Sequence, residues 1–186
     1  MALAWRLRYR VFNRELGWAI KDQDLLEIDG FDNDASHFAV VEGSQLVGYW
    51  RAIRTDRPYL LDTEFPELFG DRPPIKSSDV WEISRLVIEP DHPDRRQIGR
   101  ALASGFVKHG RDHSAKSVIG ITDPRFHLFL KRCGFEMQTL TRPHHVGESS
   151  RGTVEALISE CPINNKNIKA ADLVSGDFAQ AEEALQ

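Results

Sequence analysis

The stretch DVWEISRLVIEP, residues 79–90, is followed by DRRQIGRALASGFVKHGRDHS, residues 94–114, and then by SVIGITD, residues 117–123. The first run predicts a strand that ends at Pro90. The second run has the apolar spacing of an amphipathic helix. The third is short and nearly all apolar, which is typical of a central strand covered on both faces. A strand, a helix and a strand in this order predict the centre of an α/β protein.

The flanking segments extend this unit into a mixed sheet. The run HFAVVEGSQLVGYWRAIRT, residues 37–55, predicts two antiparallel strands with a turn at Glu42-Gly43-Ser44. The other predicted elements are a helix over 3–16 that ends at Gly17, a loop over 18–36, a proline-rich loop over 56–79 with a short helix near 63–69, a helix over 123–135 and a strand over 153–159. Antiparallel strands followed by strand–helix–strand units predict a mixed α/β sandwich.

The domain organisation follows from length and composition. A chain of 186 residues is the size of one domain. We expect residues 1–160 to form a single catalytic domain. From Cys161 the chain is polar and poor in aromatics, so residues 161–186 are expected to be a weakly packed tail with a helix over 177–185.

Charge and cysteine content exclude several classes of protein. A net charge of −4 argues against nucleic acid as the default partner.

No apolar run approaches the ~20 residues of a membrane span, and no export signal is visible. Cys133 and Cys161 belong to no zinc-binding spacing, and two isolated cysteines suggest a reducing compartment. We therefore expect a cytoplasmic protein with no membrane span.

Acidic residues are concentrated in LEIDGFDND, residues 26–34. This density is compatible with a metal site, a cationic ligand or a solvated loop. The run lacks the alternating acids and the closing Glu of a calcium loop, so no metal site is predicted. A cationic substrate is the preferred interpretation, with Asp29 and Asp32 as its ligands and Asp34 as solvated loop.

The helix over 94–114 opens with RQIGRA, residues 96–101. Small residues at a helix N-terminus let a pyrophosphate or a pantetheine arm approach free backbone N–H groups. Many helix starts look similar, so this pattern carries weight only in its context.

That context resembles known acyltransferases. RQIGRA, the strand after it and FLKRCGFE, residues 129–136, resemble the Gcn5-related N-acyltransferase (GNAT) superfamily. The runs that precede them, LRYRVFNRELGW (7–18), DGFD (29–32), WRAIRTDRPYLL (50–61) and WEISRLVI (81–88), resemble in that order the acyl-homoserine-lactone synthases, the autoinducer synthases of quorum sensing. The resemblance covers roughly residues 5–160. It implies a GNAT-like α/β/α sandwich with a mixed, mostly antiparallel, splayed sheet.

The resemblance implies synthesis of an N-acyl-L-homoserine lactone in two steps. The amine of S-adenosylmethionine attacks the thioester of an acyl-acyl carrier protein or an acyl-coenzyme A. The methionine carboxylate then attacks its own γ-carbon and expels methylthioadenosine. S-adenosylmethionine is a substrate here, so no cofactor is expected.

The resemblance also assigns residues to these steps. The implied S-adenosylmethionine site consists of Arg8, Phe12, Trp18, Asp29, Asp32 and Arg51. Carboxylates suit the ammonium and sulfonium groups, and aromatic faces attract a sulfonium. Glu82 is the candidate general base, directly or through a water. The backbone around Arg85 would polarise the thioester carbonyl, and Ser84 is a further catalytic candidate.

The same residues could instead have purely structural roles. Arg51 and Glu82, on neighbouring strands, are also compatible with an ion pair. Arg85 could brace the acidic loop, and Ser84 could satisfy the backbone. Glu82 and Arg85 would point to opposite faces of a regular strand, so a shared site requires a β-bulge between or beside them.

Contacts to the acyl chain and the pantetheine arm are expected near two helices. The first is the helix over 94–114. The second is the helix over 123–135, where the contacts are expected in the gap between this helix and strand 117–122. The candidates are Leu86, Arg96, Gly99, Ile119, Ile121, Thr122, Phe126 and Leu130. The basic residues on these helices suit an acidic carrier protein and equally suit a solvated surface.

Two further functions compete with the first. One is a GNAT N-acyltransferase that uses acyl-coenzyme A and a different amine acceptor, which the RQIGRA pattern also fits. The other is a non-catalytic binding domain on the same fold. The filled acidic, aromatic and Glu82 positions argue against a non-catalytic domain.

Overall fold

The computed structural model describes residues 1–18, 20–174 and 179–181. The helices are α1 (Ala2–Tyr9), which continues as a π-helix (Arg10–Glu15), α2 (Leu60–Glu64), α3 (Arg95–Asp112), α4 (Pro124–Arg132) and α5 (Asn165–Asp172). The strands are β1 (Ser36–Glu42), β2 (Gln45–Arg54), β3 (Val80–Ile88), β4 (Ser117–Thr122), β5 (Gln138–Thr139), β6 (His144–Ser149), β7 (Gly152–Pro162) and β8 (Ala179–Ala181). Single 3₁₀ turns cover Asp32–Asp34 and Pro66–Phe69.

The described strands form one open sheet in the order β5-β7-β4-β3-β2-β1-β8, with β6 paired to the outer part of β7. Among these pairs, only β3 and β4 run parallel. The β1–β2 hairpin and the central β3–α3–β4 unit lie where the sequence predicted them. The expectation of a mixed, mostly antiparallel sheet is therefore confirmed.

The sheet splays apart between β3 and β4. These strands pair only through Val80–Glu82 and Ser117–Ile119. Gly120 sits at the point of divergence, since a Cβ there would lie 2.6 Å from the Ile83 carbonyl oxygen. Beyond it, β3 pairs only with β2, and β4 only with β7. The splay is the predicted one, and it opens a gap between the two strands.

A bulge in β3 confirms the irregularity that the sequence required. The pairing with β2 jumps from Tyr49 opposite Val87 to Arg51 opposite Ser84. Two residues, Arg85 and Leu86, therefore stand against one residue of β2. Arg85 adopts a left-handed conformation with φ of 54°, which is uncommon for a residue with a Cβ. The bulge brings Ser84 and Arg85 toward the same side of the sheet.

Helices cover both faces of the sheet. On one face, α3, α4 and α5 pack over a core that includes Trp50, Ile98 and Leu102. On the other face, α1 packs over Ala39, Tyr49 and Val87, and α2 with the turn after it packs over a third cluster. This arrangement is the predicted GNAT-like α/β/α sandwich. Within the described residues, no helix has the length and apolar character that crossing a bilayer requires.

The expectation of a weakly packed tail is wrong for the residues up to 174. Strand β7 continues through Pro162, and Ala171 of α5 is part of the core beneath α3. Asn167 is fully buried and hydrogen-bonded to the backbone of Glu136, so its polar side chain joins the tail to the domain. The helix predicted over 177–185 falls mostly outside the described residues, and its part at Ala179–Ala181 is a strand that pairs with β1.

Candidate active site

The N-terminal helix presents Arg8 and Phe12 to the sheet. Its last turns are π-helical, as the Leu16 N–H donates to the Val11 carbonyl at 3.0 Å. Gly17 then takes a left-handed conformation, and the Trp18 N–H donates back to the Phe12 carbonyl at 2.9 Å. This return stacks the Trp18 ring on Phe12 with 5.3 Å between centroids. The two aromatic residues therefore form one wall of a site.

The β6–β7 turn fixes the end of this helix from outside. The Ser150 N–H donates to the Leu16 carbonyl at 2.9 Å, and Arg151 forms an ion pair with Glu15 at 3.2 Å. Carbonyls at a helix C-terminus lack partners within the helix, so these contacts stabilise the wall.

The acidic turn is organised by its own backbone. The Asp29 carboxylate accepts the Phe31 N–H at 2.9 Å, and the Asp32 carboxylate accepts the Asp29 N–H at 3.0 Å. Asp32 is buried, and Asp34 is exposed as the sequence predicted. The turn therefore aims Asp29 and Asp32 inward.

Arg51, from the middle of β2, lies between these two carboxylates. It donates to Asp29 Oδ2 and Asp32 Oδ1, each at 2.7 Å, and makes a further contact with Asp29 Oδ1. Its Nε donates to Ser84 Oγ at 3.1 Å. The side chain is fully buried, and each of its three nitrogens donates at least one hydrogen bond within this contact set.

Two further arginines complete the cluster. Arg8 is fully buried, pairs with Glu27 and donates to Asp32 Oδ1 at 2.6 Å. Arg85 donates to Glu27 Oε1 at 3.1 Å and to Asp29 Oδ2 at 2.9 Å. We call the six residues the arginine–carboxylate cluster; its members are Arg8, Arg51, Arg85, Glu27, Asp29 and Asp32. Three guanidinium groups balance three carboxylates.

Burial and pairing act in opposite directions on these carboxylates. Burial pushes the pKa of Asp29 and Asp32 upward, but hydrogen bonds and charge from Arg51 and Arg8 are stronger and hold each pKa below its usual value. Both acids are therefore ionised at neutral pH. Both carboxylates bind arginine side chains directly.

Only one edge of the cluster faces solvent. The Asp29 and Arg85 side chains are 20% and 14% exposed, whereas those of Arg8 and Arg51 are 0% exposed. The Arg85 guanidinium also lies over the Phe12 ring at 5.7 Å. A ligand that enters beside the aromatic wall would therefore meet Asp29 and Arg85 first.

Glu82 lies one position before the divergence of β3 and β4. Its two carboxylate oxygens accept the backbone N–H groups of Leu60 at 2.9 Å and Leu61 at 2.7 Å. The residue is 1% exposed, and burial raises its pKa to about 7 despite these hydrogen bonds. The ion pair with Arg51, which the sequence left open as an alternative, is not formed; Arg51 binds the acidic turn instead.

The three catalytic candidates, Glu82, Ser84 and Arg85, differ in their hydrogen-bond partners and in their burial. Arg85 braces the acidic loop with its side chain, as one sequence interpretation proposed. Ser84 accepts a hydrogen bond from Arg51, which gives it a positioning contact. Glu82 combines burial with a pKa near neutrality, which suits an acid–base group.

The acyl-contact candidates divide between the two faces of the sheet. Leu86, Phe126 and Leu130 belong to the core under α3 and α4. Ile119 and Ile121 pack instead with the cluster beside α2, so they do not line the gap between β4 and α4. The error arises because alternate residues of β4 face opposite ways, and Val118 is the residue that joins the α4 side.

The remaining candidates lie near the gap. Arg96 is exposed in the first turn of α3. Gly99 faces α4, where a Cβ would lie 3.1 Å from the Phe129 ring. Its small size therefore allows the two helices to approach closely. Thr122 ends β4 with its hydroxyl 3.3 Å from the Gly120 carbonyl.

The sequence did not single out Glu27, His37 or Tyr49. Glu27 bridges Arg8 and Arg85 and is fully buried. Its position in the acidic run was a usable signal, because a cluster with several arginines needs as many carboxylates. His37 and Tyr49 lie behind the cluster and gave no local signal.

Comparisons with known proteins match this chain to autoinducer synthases. The model of the autoinducer synthase family matches residues 2–170. An acyl-homoserine-lactone synthase of Aliivibrio fischeri is 28% identical over 173 residues, which cover 88% of this chain and 86% of that protein. One of Vibrio anguillarum is 27% identical over 141 residues, 73% of each chain.

Solved structures agree with this match. TofI, in a ternary complex with an inhibitor and MTA, is 26% identical with a TM-score of 0.78, and the match covers 92% of this chain and 89% of TofI. BjaI, a CoA-dependent acyl-homoserine lactone synthase with SAM and isopentyl-CoA, is 22% identical with a TM-score of 0.80 over 93% of this chain and 81% of BjaI. At that identity, the likeness to BjaI shows a shared fold.

Proposed function

The chain belongs to the autoinducer synthase family, and from this premise we propose that it makes an N-acyl-L-homoserine lactone from S-adenosylmethionine and an acyl thioester, with release of methylthioadenosine. The observation that carries the proposal is the arginine–carboxylate cluster beside the stacked Phe12 and Trp18. The cluster joins residues from α1, the acidic turn, β2 and β3 on the face of the sheet that α1 covers.

We propose that the amino-acid end of S-adenosylmethionine binds at Asp29 and Arg85. That end carries an ammonium and a carboxylate, so it presents one charge of each sign. Asp29 and Arg85 present the opposite pair, 2.9 Å apart, at the exposed edge of the cluster. Charge-assisted hydrogen bonds of this kind are stronger than neutral ones and fix orientation.

We propose that Trp18 contacts the sulfonium or the adenine. Phe12 is buried under Trp18 and Arg85, whereas Trp18 is half-buried and keeps surface available. A cation over an indole gains roughly 0.5–2 kcal/mol, depending on desolvation. Phe12 then acts as the support of the wall, and Trp18 as its binding surface.

We propose that Glu82 removes the proton of the attacking amine, directly or through a water. The amine nitrogen forms the amide bond with the thioester carbonyl carbon, and the thiol leaves. The methionine carboxylate oxygen then attacks the γ-carbon and displaces methylthioadenosine. A carboxyl with a pKa of about 7 is partly ionised at neutral pH and can accept the proton.

We propose that the thioester arm enters the gap between β3 and β4 from the N-terminal end of α3. Exposed basic residues lie in the first two turns of α3 and in the last turn of α4; they are Arg95, Arg96, Arg100, Lys131 and Arg132. Such a surface would steer either an acidic acyl carrier protein or the phosphates of coenzyme A. The proposal therefore covers both donors, and the assay separates them.

The test is an incubation of the protein with S-adenosylmethionine and a panel of acyl-carrier-protein and acyl-coenzyme A thioesters. Release of methylthioadenosine together with an acylated lactone is the expected result. Release of thiol only when another amine is supplied would instead support the competing N-acyltransferase. Glu64→Gln, an exposed change on α2, is a matched control for variants of buried Glu82.

A further inference from the structure

Behind the arginine–carboxylate cluster, half-buried His37 contacts fully buried Tyr49 between β1 and β2. His37 pairs with Arg51 across the hairpin, and Tyr49 pairs with Ala39, two residues further along β1. Diagonal neighbours of this kind lie on one face and within reach of long side chains. His37 Nδ1 is 2.7 Å from the Tyr49 hydroxyl, and His37 Nε2 is 2.9 Å from the Asp32 carbonyl oxygen.

The partners determine the direction of both hydrogen bonds. A carbonyl oxygen only accepts, so His37 Nε2 carries the hydrogen and donates to Asp32. Nδ1 then has a free lone pair and accepts from the Tyr49 hydroxyl. Burial lowers the pKa of His37, and the positive charges of Arg51 and Arg8 lower it further. The Asp32 carbonyl and carboxylate act to raise it, but the net shift is downward. The imidazole is therefore neutral at physiological pH.

Tyr49 links this contact to Arg8. The Tyr49 side chain is fully buried, and the Arg8 guanidinium lies 5.8 Å from the centre of its ring. Burial raises the pKa of the phenol, so it remains a donor toward His37. Tyr49 thus contacts Arg8 through its ring and the acidic turn through His37.

Asp32 is consequently held from two sides. Its carboxylate binds Arg8 at 2.6 Å and Arg51 at 2.7 Å, and its carbonyl binds His37. We infer that Tyr49 and His37 are positioning residues. They set Asp32, and through it Arg8 and Arg51, in the arrangement that holds Asp29 and Arg85, the pair proposed to bind the amino-acid end of S-adenosylmethionine. This inference rests on the proposed function. A neutral imidazole orders the turn without adding a fourth positive charge to a balanced cluster.

Three variants test the inference. Tyr49→Phe removes one hydroxyl and keeps the ring under Arg8, and His37→Leu removes both hydrogen bonds. His37→Gln keeps an amide donor that can reach the Asp32 carbonyl. The matched control is His145→Leu on β6, since His145 is exposed and pairs with Glu148.

For Tyr49→Phe and His37→Leu, we expect the KM for S-adenosylmethionine to rise about 3- to 10-fold, which is the range for a lost neutral hydrogen bond. The KM for the acyl thioester and kcat should change less than about 2-fold, because neither side chain contacts the reacting atoms. His37→Gln should recover most of the loss, and His145→Leu should match the wild type. A thermal melt of each variant accompanies the kinetics.

Direct binding of S-adenosylmethionine, measured by calorimetry, separates this inference from the proposed function. A wild type that binds S-adenosylmethionine but forms no lactone overturns the function, and the calorimetric binding constants of the same variants then decide the positioning role. A wild type that binds none overturns both. Variants that melt earlier yet keep the wild-type KM and binding constant show a structural role only, and this overturns the inference. If His37→Leu does not fold, Tyr49→Phe and His37→Gln still decide it.

Discussion

Glu82 accepts the backbone N–H of Leu61 at 2.7 Å, and thereby caps helix α2, which begins at Leu60, 22 residues before it in the chain. Its other oxygen accepts the N–H of Leu60. Helix α2 has no side-chain cap of its own at Tyr59, so a strand residue satisfies its first two N–H groups. The candidate base therefore also has a structural task, and its variants must be chosen with both in mind.

Glu82→Gln is expected to abolish lactone formation while the fold survives. An amide cannot take the amine proton, but its oxygen still accepts one N–H of α2. Glu82→Ala removes both acceptors, and we expect it to lower the free energy of unfolding by about 1–3 kcal/mol as well. Methylthioadenosine release and urea unfolding measure the two effects. Wild-type turnover in Glu82→Gln would remove the residue from the mechanism.

The rate of turnover is expected to rise with pH through neutrality. Burial raises the pKa of Glu82 to about 7, so below that pH the carboxyl is protonated and cannot act as a base. At saturating substrates, kcat should therefore increase between about pH 6 and pH 8. Carbon-13 NMR of the carboxyl, with Glu82→Gln as the blank spectrum, identifies the titrating group. A flat profile across this range contradicts the assignment.

The same raised pKa predicts the sign of a stability change. Between the ordinary value of 4.5 and about 7, the unfolded chain has released the Glu82 proton and the folded chain has kept it. The contribution of Glu82 to the free energy of unfolding must then fall as pH rises through this window. Urea unfolding at the two ends of the window should show a smaller fall in Glu82→Gln than in the wild type.

Arg51→Lys is expected to disrupt the arginine–carboxylate cluster. A single ammonium cannot reach Asp29, Asp32 and Ser84 together as the guanidinium does. Leaving buried carboxylates without a full partner should lower the free energy of unfolding by about 3 kcal/mol or more and abolish binding of S-adenosylmethionine.

Arg54→Lys, three residues further along the same strand, is the matched control. Arg54 is partly exposed and pairs only with neighbouring Asp56 among the contacts described. We expect no measurable change in stability or binding. Equal effects at the two positions would mean that β2 as a whole, rather than the cluster, is sensitive to this substitution.

Ser84→Ala separates a positioning role from a catalytic one. Its hydroxyl accepts a single hydrogen bond, from Arg51. We expect a loss of about 1 kcal/mol in stability and a modest rise in the KM for S-adenosylmethionine, with kcat largely retained. A fall in kcat of about a thousandfold would show direct participation in the chemistry.

Phe126→Ala is expected to change the acyl chain that the enzyme prefers. Phe126 is half-buried on the α4 side of the splay, together with Leu86. Ile119→Ala is the comparison, since Ile119 faces the α2 layer and is 1% exposed. It should lower stability by about 2–5 kcal/mol and leave the product profile unchanged. Mass spectrometry of the lactones measures the distribution of acyl chains in the product. If Ile119→Ala changed this distribution and Phe126→Ala did not, the acyl chain would lie on the α2 side of the sheet, contrary to our assignment.

Much of this protein is determined by its sequence alone. The period of apolar residues is a local property, so the hairpin over 37–55, the β3–α3–β4 unit and α4 were predictable. The need for a bulge was predictable too, because strand geometry places Glu82 and Arg85 on opposite faces unless a residue is inserted. The resemblance to the autoinducer synthases placed Arg8, Asp29, Asp32 and Arg51 in one site, and the structure brings their side chains together.

Tertiary structure alone decided how those residues are used. The partners of a buried charge depend on which segments meet in space, so sequence spacing did not show that Arg51 binds the acidic turn and that Glu82 binds the start of α2. The same holds for Glu27, His37 and Tyr49, which act only through distant partners. Packing of Ala171 onto the core overruled the polar composition of its segment, because a few well-placed apolar residues are enough to hold a short helix. Local patterns therefore determined the elements, and long-range contacts of charge and apolar surface determined the site.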